Sequence, residues 1–128
     1  MKKIVLDASA VLALLNGEIG SEKLTPEMLA HAAASAVNLA EVHTKLVSRG
    51  GVPDEAWEDA LSATQDPVPF TLQQARIAGD LVAVTRPLGL SLGDRACLAL
   101  ALTLKASVYT TDRAWKNLKL GIRIHVIR

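Results

Sequence analysis

The sequence runs to 128 residues, enough for one domain over residues 1–128 that buries roughly two-thirds of its unfolded surface. Half of it is apolar but only 3% is aromatic, so an Ala- and Leu-rich core favours helices and leaves short Val/Ile segments for strands. A formal net charge of +1 excludes a bulk basic surface as the means of holding nucleic acid, and the lone Cys97 excludes an internal disulfide.

Met1-Lys2-Lys3 followed by Ile4–Leu15 has the outline of a secretory signal. Asp7 interrupts its apolar run, however, and Ala8-Ser9-Ala10 comes too early for a cleavage site. No apolar stretch reaches the roughly 18 residues that span a bilayer, so a soluble, cytoplasmic protein is expected. Ile4–Leu6 suits a buried parallel strand, and Ala8–Asn16 a helix stopped by Asn16-Gly17. Thr25-Pro26-Glu27 supplies an N-cap, a proline at the first helical position and an early acid, which predicts a short helix. Ala32–Val37 reads as a strand, with a helix from Asn38 to about Arg49 closed by Gly50-Gly51. Pro53-Asp54-Glu55 opens a further helix to about Thr64, with Trp57, Ala60, Leu61 and Thr64 on one face.

Val68–Phe70, set between prolines, is a brief strand, and Thr71–Thr85 a helix ended by Arg86-Pro87 and Gly89. Ser91–Lys105 predicts the longest helix, with Cys97 as a small core residue, and Ala106–Thr110 a strand leading to Asp112. The apolar stretch Ala96–Leu104 has no polar face, so it is either buried or covered by a partner. Arg113–Leu118 is a short helix and Ile122–Ile127 a last edge strand. Strands alternating with helices predict an α/β fold, a central parallel sheet with helices on both faces.

Asp7, Glu41, Asp94 and Asp112 each fall where a strand or apolar run gives way to a helix. Taken singly, each has an ordinary role. Asp7 and Asp112 read as N-caps, while Asn38 with Glu41 and Ser91 with Asp94 have the three-residue spacing of capping boxes. Taken together, they would meet along the carboxyl edge of a parallel sheet, where such folds bind ligands. Two carboxylates about 4 Å apart repel by several kcal/mol at an effective dielectric near 20. A divalent cation relieves that repulsion, and Mg²⁺ or Mn²⁺ prefers such oxygen ligands. Ser9 and Thr111 stand beside Asp7 and Asp112, placed either to bind a water or phosphate oxygen or to cap backbone. His31, His43 and His125 share no ligand-like spacing, and Asp80 lies four residues after Arg76 as a surface ion pair.

Four segments also resemble the signature segments of PIN domains, most closely those of VapC-type toxins of bacterial toxin–antitoxin pairs. They are Leu6-Asp7-Ala8-Ser9-Ala10, Ser35 to Val42 around Asn38 and Glu41, Leu92 to Ala101 around Asp94, and Thr110 to Trp115 around Asp112. The likeness covers essentially the whole chain in the right order. It implies a three-layer fold with a five-stranded parallel sheet in the order 3-2-1-4-5, and Mg²⁺- or Mn²⁺-dependent cleavage of single-stranded RNA. It further implies a homodimer and inhibition by a cognate antitoxin lying across the active-site groove. By this likeness Asp7, Glu41, Asp94 and Asp112 form a catalytic, metal-holding quartet, with Ser9 and Thr111 in support. Gly93-Asp94-Arg95 departs from the pattern, because many relatives carry an aromatic or a small residue there. Arg95 has two candidate roles, pairing with the quartet or reaching a phosphate. Lys45, Arg49, Arg113 and Lys116 are further candidates to grip RNA.

Two rival classes are weighed against the nuclease. A Mg²⁺-dependent phosphoacceptor or phosphatase needs a second acid beside Asp7 and a Lys after a later strand; Ala8-Ser9-Ala10 follows Asp7, and no Lys lies between Val108 and Arg113. A non-catalytic PIN-like binding module would have lost acids that this chain retains.

Overall fold

In the computed structural model, which describes residues 2–128, every strand is parallel to its neighbours. The elements run β1 (Ile4–Leu6), α1 (Ala8–Asn16), α2 (Pro26–Leu29), β2 (Ala32–Ser35), α3 (Ala36–Ser48), α4 (Pro53–Ser62) and β3 (Asp66–Val68). They continue through α5 (Leu72–Asp80), α6 (Val82–Thr85), α7 (Leu92–Leu104), β4 (Ser107–Thr110) and β5 (Ile124–Val126). The sheet order is β3-β2-β1-β4-β5, as expected. Its direction reverses between β1 and β4, so the switch point lies where those two strands end.

Alternation along β1 divides the core. Ile4 and Leu6 point to one face, where Ala10–Ala13 of α1, Val42 of α3 and Ala60 of α4 cover them. Val5 points to the other, among Cys97, Leu98, Leu100 and Ala101 of α7, with Val108 and Trp115. All six residues from Ala96 to Ala101 are fully buried, because α7 packs against β1, β2 and β4 while α3 and α5 flank it. The chain itself therefore covers the apolar helix, and no partner is needed for that stretch. No helix among the described residues is long and apolar enough to cross a membrane.

Several boundaries move for physical reasons. α3 begins at Ala36, two residues before Asn38, because the Ser35 Oγ caps it by accepting the Val37 N–H at 3.2 Å. β3 covers Asp66–Val68 rather than Val68–Phe70, since its register aligns Asp66, Pro67 and Val68 with Ala33, Ala34 and Ser35. Pro67 is tolerated there because β3 is an edge strand. The predicted helix Thr71–Thr85 bends at Leu81 into α5 and α6, although the Leu81 and Thr85 N–H groups still bond four residues back. The turn after Asp112 is a 3-10 helix, Arg113–Asn117, anchored by the fully buried Trp115. On α4 the inward face is Ala56 and Ala60; Trp57 stays 40% exposed, edge-on to His43.

Candidate functional site

β1, β2 and β4 all run toward the same edge, and acidic side chains gather along it. Asp7 comes directly after β1 and Asp112 two residues after β4, while Glu41 lies in the second turn of α3 and Asp94 in the first turn of α7. All four line one cleft of about 360 Å³, together with Ser9, Thr111, Lys45 and Arg49. No His or Cys lines it, so its donors are oxygen.

Asp7 is the most constrained. It caps α1, with Oδ1 accepting the Ala10 N–H at 2.8 Å and the Ser9 hydroxyl at 2.7 Å. Its Oδ2 accepts the Thr110 hydroxyl at 2.6 Å. Burial pushes the Asp7 carboxyl up to about 6; those three hydrogen bonds pull it back, and the negative charge of Asp94 adds to the rise. Both hydroxyls also accept a backbone N–H from the segment that follows β4. The Thr111 N–H donates to Ser9 Oγ at 2.9 Å, and the Asp112 N–H to Thr110 Oγ1 at 3.1 Å. Two hydroxyls thereby tie the end of β1 to the end of β4. Thr111 enters this network through its backbone and also lines the cleft, while the hydroxyl bonded to Asp7 from this segment is that of Thr110.

Glu41 is held from two directions. Asn38, one turn earlier, donates its amide to Glu41 Oε1 and to the Gly93 carbonyl, both at 3.0 Å. The expected Asn38–Glu41 capping box is thus a pair of neighbours on one helix face that also bridges α3 to α7. The Glu41 carboxylate lies directly over Gly93, where an added Cβ would sit 2.3–2.5 Å from it. The Ser91–Asp94 capping box forms as its spacing predicts. Asp94 Oδ2 accepts the Ser91 N–H at 3.0 Å, and Ser91 Oγ accepts the Asp94 N–H at 3.1 Å. Asp112 caps the 3-10 turn through the Ala114 N–H at 2.9 Å. The ordinary capping roles of Asp7, Asp94 and Asp112 are therefore real, and they aim the acids at the cleft.

Arg95 takes neither of its candidate roles. It turns away from the acids and donates to the Ala78 carbonyl of α5 at 2.8 Å. Asp80 pairs with Arg76 on the surface at 3.2 Å, as its spacing predicts. Lys45 and Arg49 reach the cleft because they follow Glu41 at four-residue steps along α3. Opposite them, Arg128 pairs with Glu18 on the rim.

Among the described residues, no three His, Cys, Asp or Glu side chains stand close enough to close around a metal ion. The donor chemistry nevertheless suits a hard cation. Mg²⁺ is held by one or two carboxylates and keeps several waters, so it fits a cleft of separated acids better than Zn²⁺ or Ca²⁺ would. The roles of Thr110 and Gly93 escaped the sequence reading, which paired Asn38 with Glu41 but as a capping box. Only Thr110 left a signal, since alternation along β4 places its hydroxyl on the buried face of Val108, where it needs a partner.

The fold is shared with several solved structures. VapC20 of Mycobacterium tuberculosis, described as a sarcin–ricin loop cleaving toxin, superposes with a TM-score of 0.74 at 18% identity, over 94% of this chain and 99% of that one. DNA-bound VapBC of Salmonella typhimurium gives 0.73 at 19% identity, over 97% of each chain. A toxin–antitoxin complex of Klebsiella pneumoniae gives 0.72 at 18% identity, over 94% and 95%. No curated protein matches the sequence. The PIN domain family model aligns with residues 4–120, a span holding Asp7, Glu41, Asp94 and Asp112, and this chain accordingly belongs to the PIN-domain family.

Proposed function

We propose that the protein is a Mg²⁺- or Mn²⁺-dependent endoribonuclease that cleaves single-stranded RNA, the toxin half of a toxin–antitoxin pair. The observation that carries this reading is the convergence of Asp7, Glu41, Asp94 and Asp112 on one cleft with only oxygen donors. A hard cation held there supplies Lewis-acid activation of water and offsets charge at the scissile phosphate. Asp7 and Asp94 would be the principal ligands of such a cation, with Glu41 and Asp112 completing the acidic rim. Ser9 and Thr110 fix both oxygens of Asp7, so its carboxylate is oriented before any ligand arrives. Lys45 and Arg49, on the exposed side of the cleft, neutralise phosphates flanking the cut.

Several solved structures of the same fold are toxin–antitoxin complexes, which favours a protein inhibitor as partner. The reading also includes a homodimer working in the cytoplasm. A phosphoacceptor role fits less well, because Ala8-Ser9-Ala10 rather than a second acid follows Asp7 and no Lys lies between Val108 and Arg113. Purified protein with Mg²⁺ or Mn²⁺ is expected to cut single-stranded RNA and to lose that activity on chelation. Asp7→Asn and Asp94→Asn should each reduce cleavage by at least about a hundredfold with the fold retained. Undiminished cleavage by both variants removes the acids from the mechanism, and labelling of Asp7 by acetyl phosphate would favour the phosphoacceptor.

A further inference from the structure

Beside the acidic cleft lies a second cavity, of about 380 Å³, with the opposite chemistry. Its walls are Arg113, Lys116, Ile124, His125, Val126 and Arg128, and none has an acidic side chain. Arg128 lines both cavities, so the two adjoin at that residue. The 3-10 turn capped by Asp112 carries Arg113 and Lys116, and hence presents an acid to one cavity and two cations to the next. Both cations are exposed, and among the described residues no carboxylate pairs with either. On the β5 side, the His125 ring stacks on Tyr109 with centroids 4.6 Å apart and planes 18° from parallel. Exposed cations beside a flat, supported ring suit single-stranded nucleic acid, since phosphates take the charge and bases take the ring.

We infer that this cavity is a nucleotide subsite, holding one nucleotide of the RNA strand beside the acidic cleft. Its phosphate lies between Arg113 and Lys116, with Arg128, paired with Glu18, at the margin, and its base lies against His125. The inference rests on the nuclease reading for its substrate and adds the path that the strand takes. Placement separates this cavity from the other basic one, lined by Lys2, Lys3, Lys105 and Arg123. That cavity lies at the amino ends of β1 and β4, on the far edge of the sheet, and Lys3 is already paired with Asp66.

The test uses the full chain carrying Asp7→Asn, so that the RNA stays intact, and a labelled twelve-nucleotide oligouridylate as the probe. An oligomer of equal charge, made of a stable abasic analogue, serves beside it. Arg113→Ala with Lys116→Ala should weaken binding to both probes by roughly tenfold and lower the salt dependence by one to two phosphate contacts. His125→Ala should weaken binding of the oligouridylate at least about fivefold but not of the abasic oligomer, and His125→Phe should restore it. Lys2→Gln with Lys105→Gln, the same charge removed from the far edge, should change affinity less than about twofold. Equal losses from both charge pairs would reduce the effect to bulk electrostatics and overturn the subsite. So would a His125→Ala loss that is the same on both probes. Cleavage abolished by Asp7→Asn while binding ignores Arg113, Lys116 and His125 would sink the subsite alone. Binding that depends on those side chains, in a wild-type protein that never cleaves, would keep the subsite and sink the nuclease.

Discussion

Asp7 is built against its own charge. Its folded value near 6 exceeds the ordinary value of 3.8, so between those pH values the folded chain binds more protons than the unfolded one. Stability therefore falls as pH rises through that window, by about 3 kcal/mol in all. Asp7→Asn removes the buried charge, and in metal-free buffer at pH 8 it should melt several degrees above the wild type, with the gap closing near pH 4. Calorimetry across that range checks the sign; a variant that melts lower at pH 8 would mean the ionised form is welcome in the fold. Activity should run the other way, declining on the acid side as Asp7 takes up a proton, at a pH below 6 because the bound cation would favour the carboxylate. Gly93 is the second residue whose chemistry is visible only in place. Gly93→Ala sets a methyl group against the far end of the flexible Glu41 side chain, so the fold should tolerate it while Glu41 is displaced. A misplacement of about 1 Å at a catalytic group can cost a hundredfold. Cleavage should accordingly drop about ten- to a hundredfold with the melting temperature nearly unchanged, and wild-type rates would free Glu41 of any role.

At the scale of elements, the junctions that matter are readable because their signals are local. Asp7 after Ile4–Leu6, the Ser91–Asp94 box and Asp112 after Thr110 each need only a few adjacent residues to be recognised. The unreadable parts join segments far apart. Thr110 meets Asp7 across 103 residues and Asn38 meets Gly93 across 55, and no window along the chain contains either pair. The start of α3 differs from its sequence-based expectation because Ala32–Val37 is apolar in either state; the pairing with β1 decides it, together with the Ser35 cap. Asn38 then becomes a clamp between α3 and α7. Its loss leaves the buried Gly93 carbonyl and the Glu41 carboxylate each short of a donor, so Asn38→Ala should destabilise by about 1–3 kcal/mol. Urea unfolding of the variant measures this, and a change below about 0.5 kcal/mol would show that water replaces the amide.

Across the whole molecule, charge is sorted although its sum is close to zero. Acids gather at the switch point, and cations stand along α3 and on the turn after β4. A net charge of +1 thus conceals a polarised surface, which composition alone does not reveal. The packing leaves Leu72 91%, Val84 58% and Leu92 54% exposed, all on α5, α6 or α7. Apolar side chains this open favour a partner, and sedimentation at micromolar concentration should find a dimer that Leu72→Glu with Val84→Glu weakens. A monomer throughout would leave those side chains to another protein.

The solitary thiol of Cys97 is shut inside α7, one turn beyond Asp94, where burial raises it well above its ordinary range. A reagent in solution meets it only when that helix detaches from the sheet. The native chain thus carries its own clock for such openings. Because the helix also holds Asp94, whatever steadies the acid should make that clock tick more slowly.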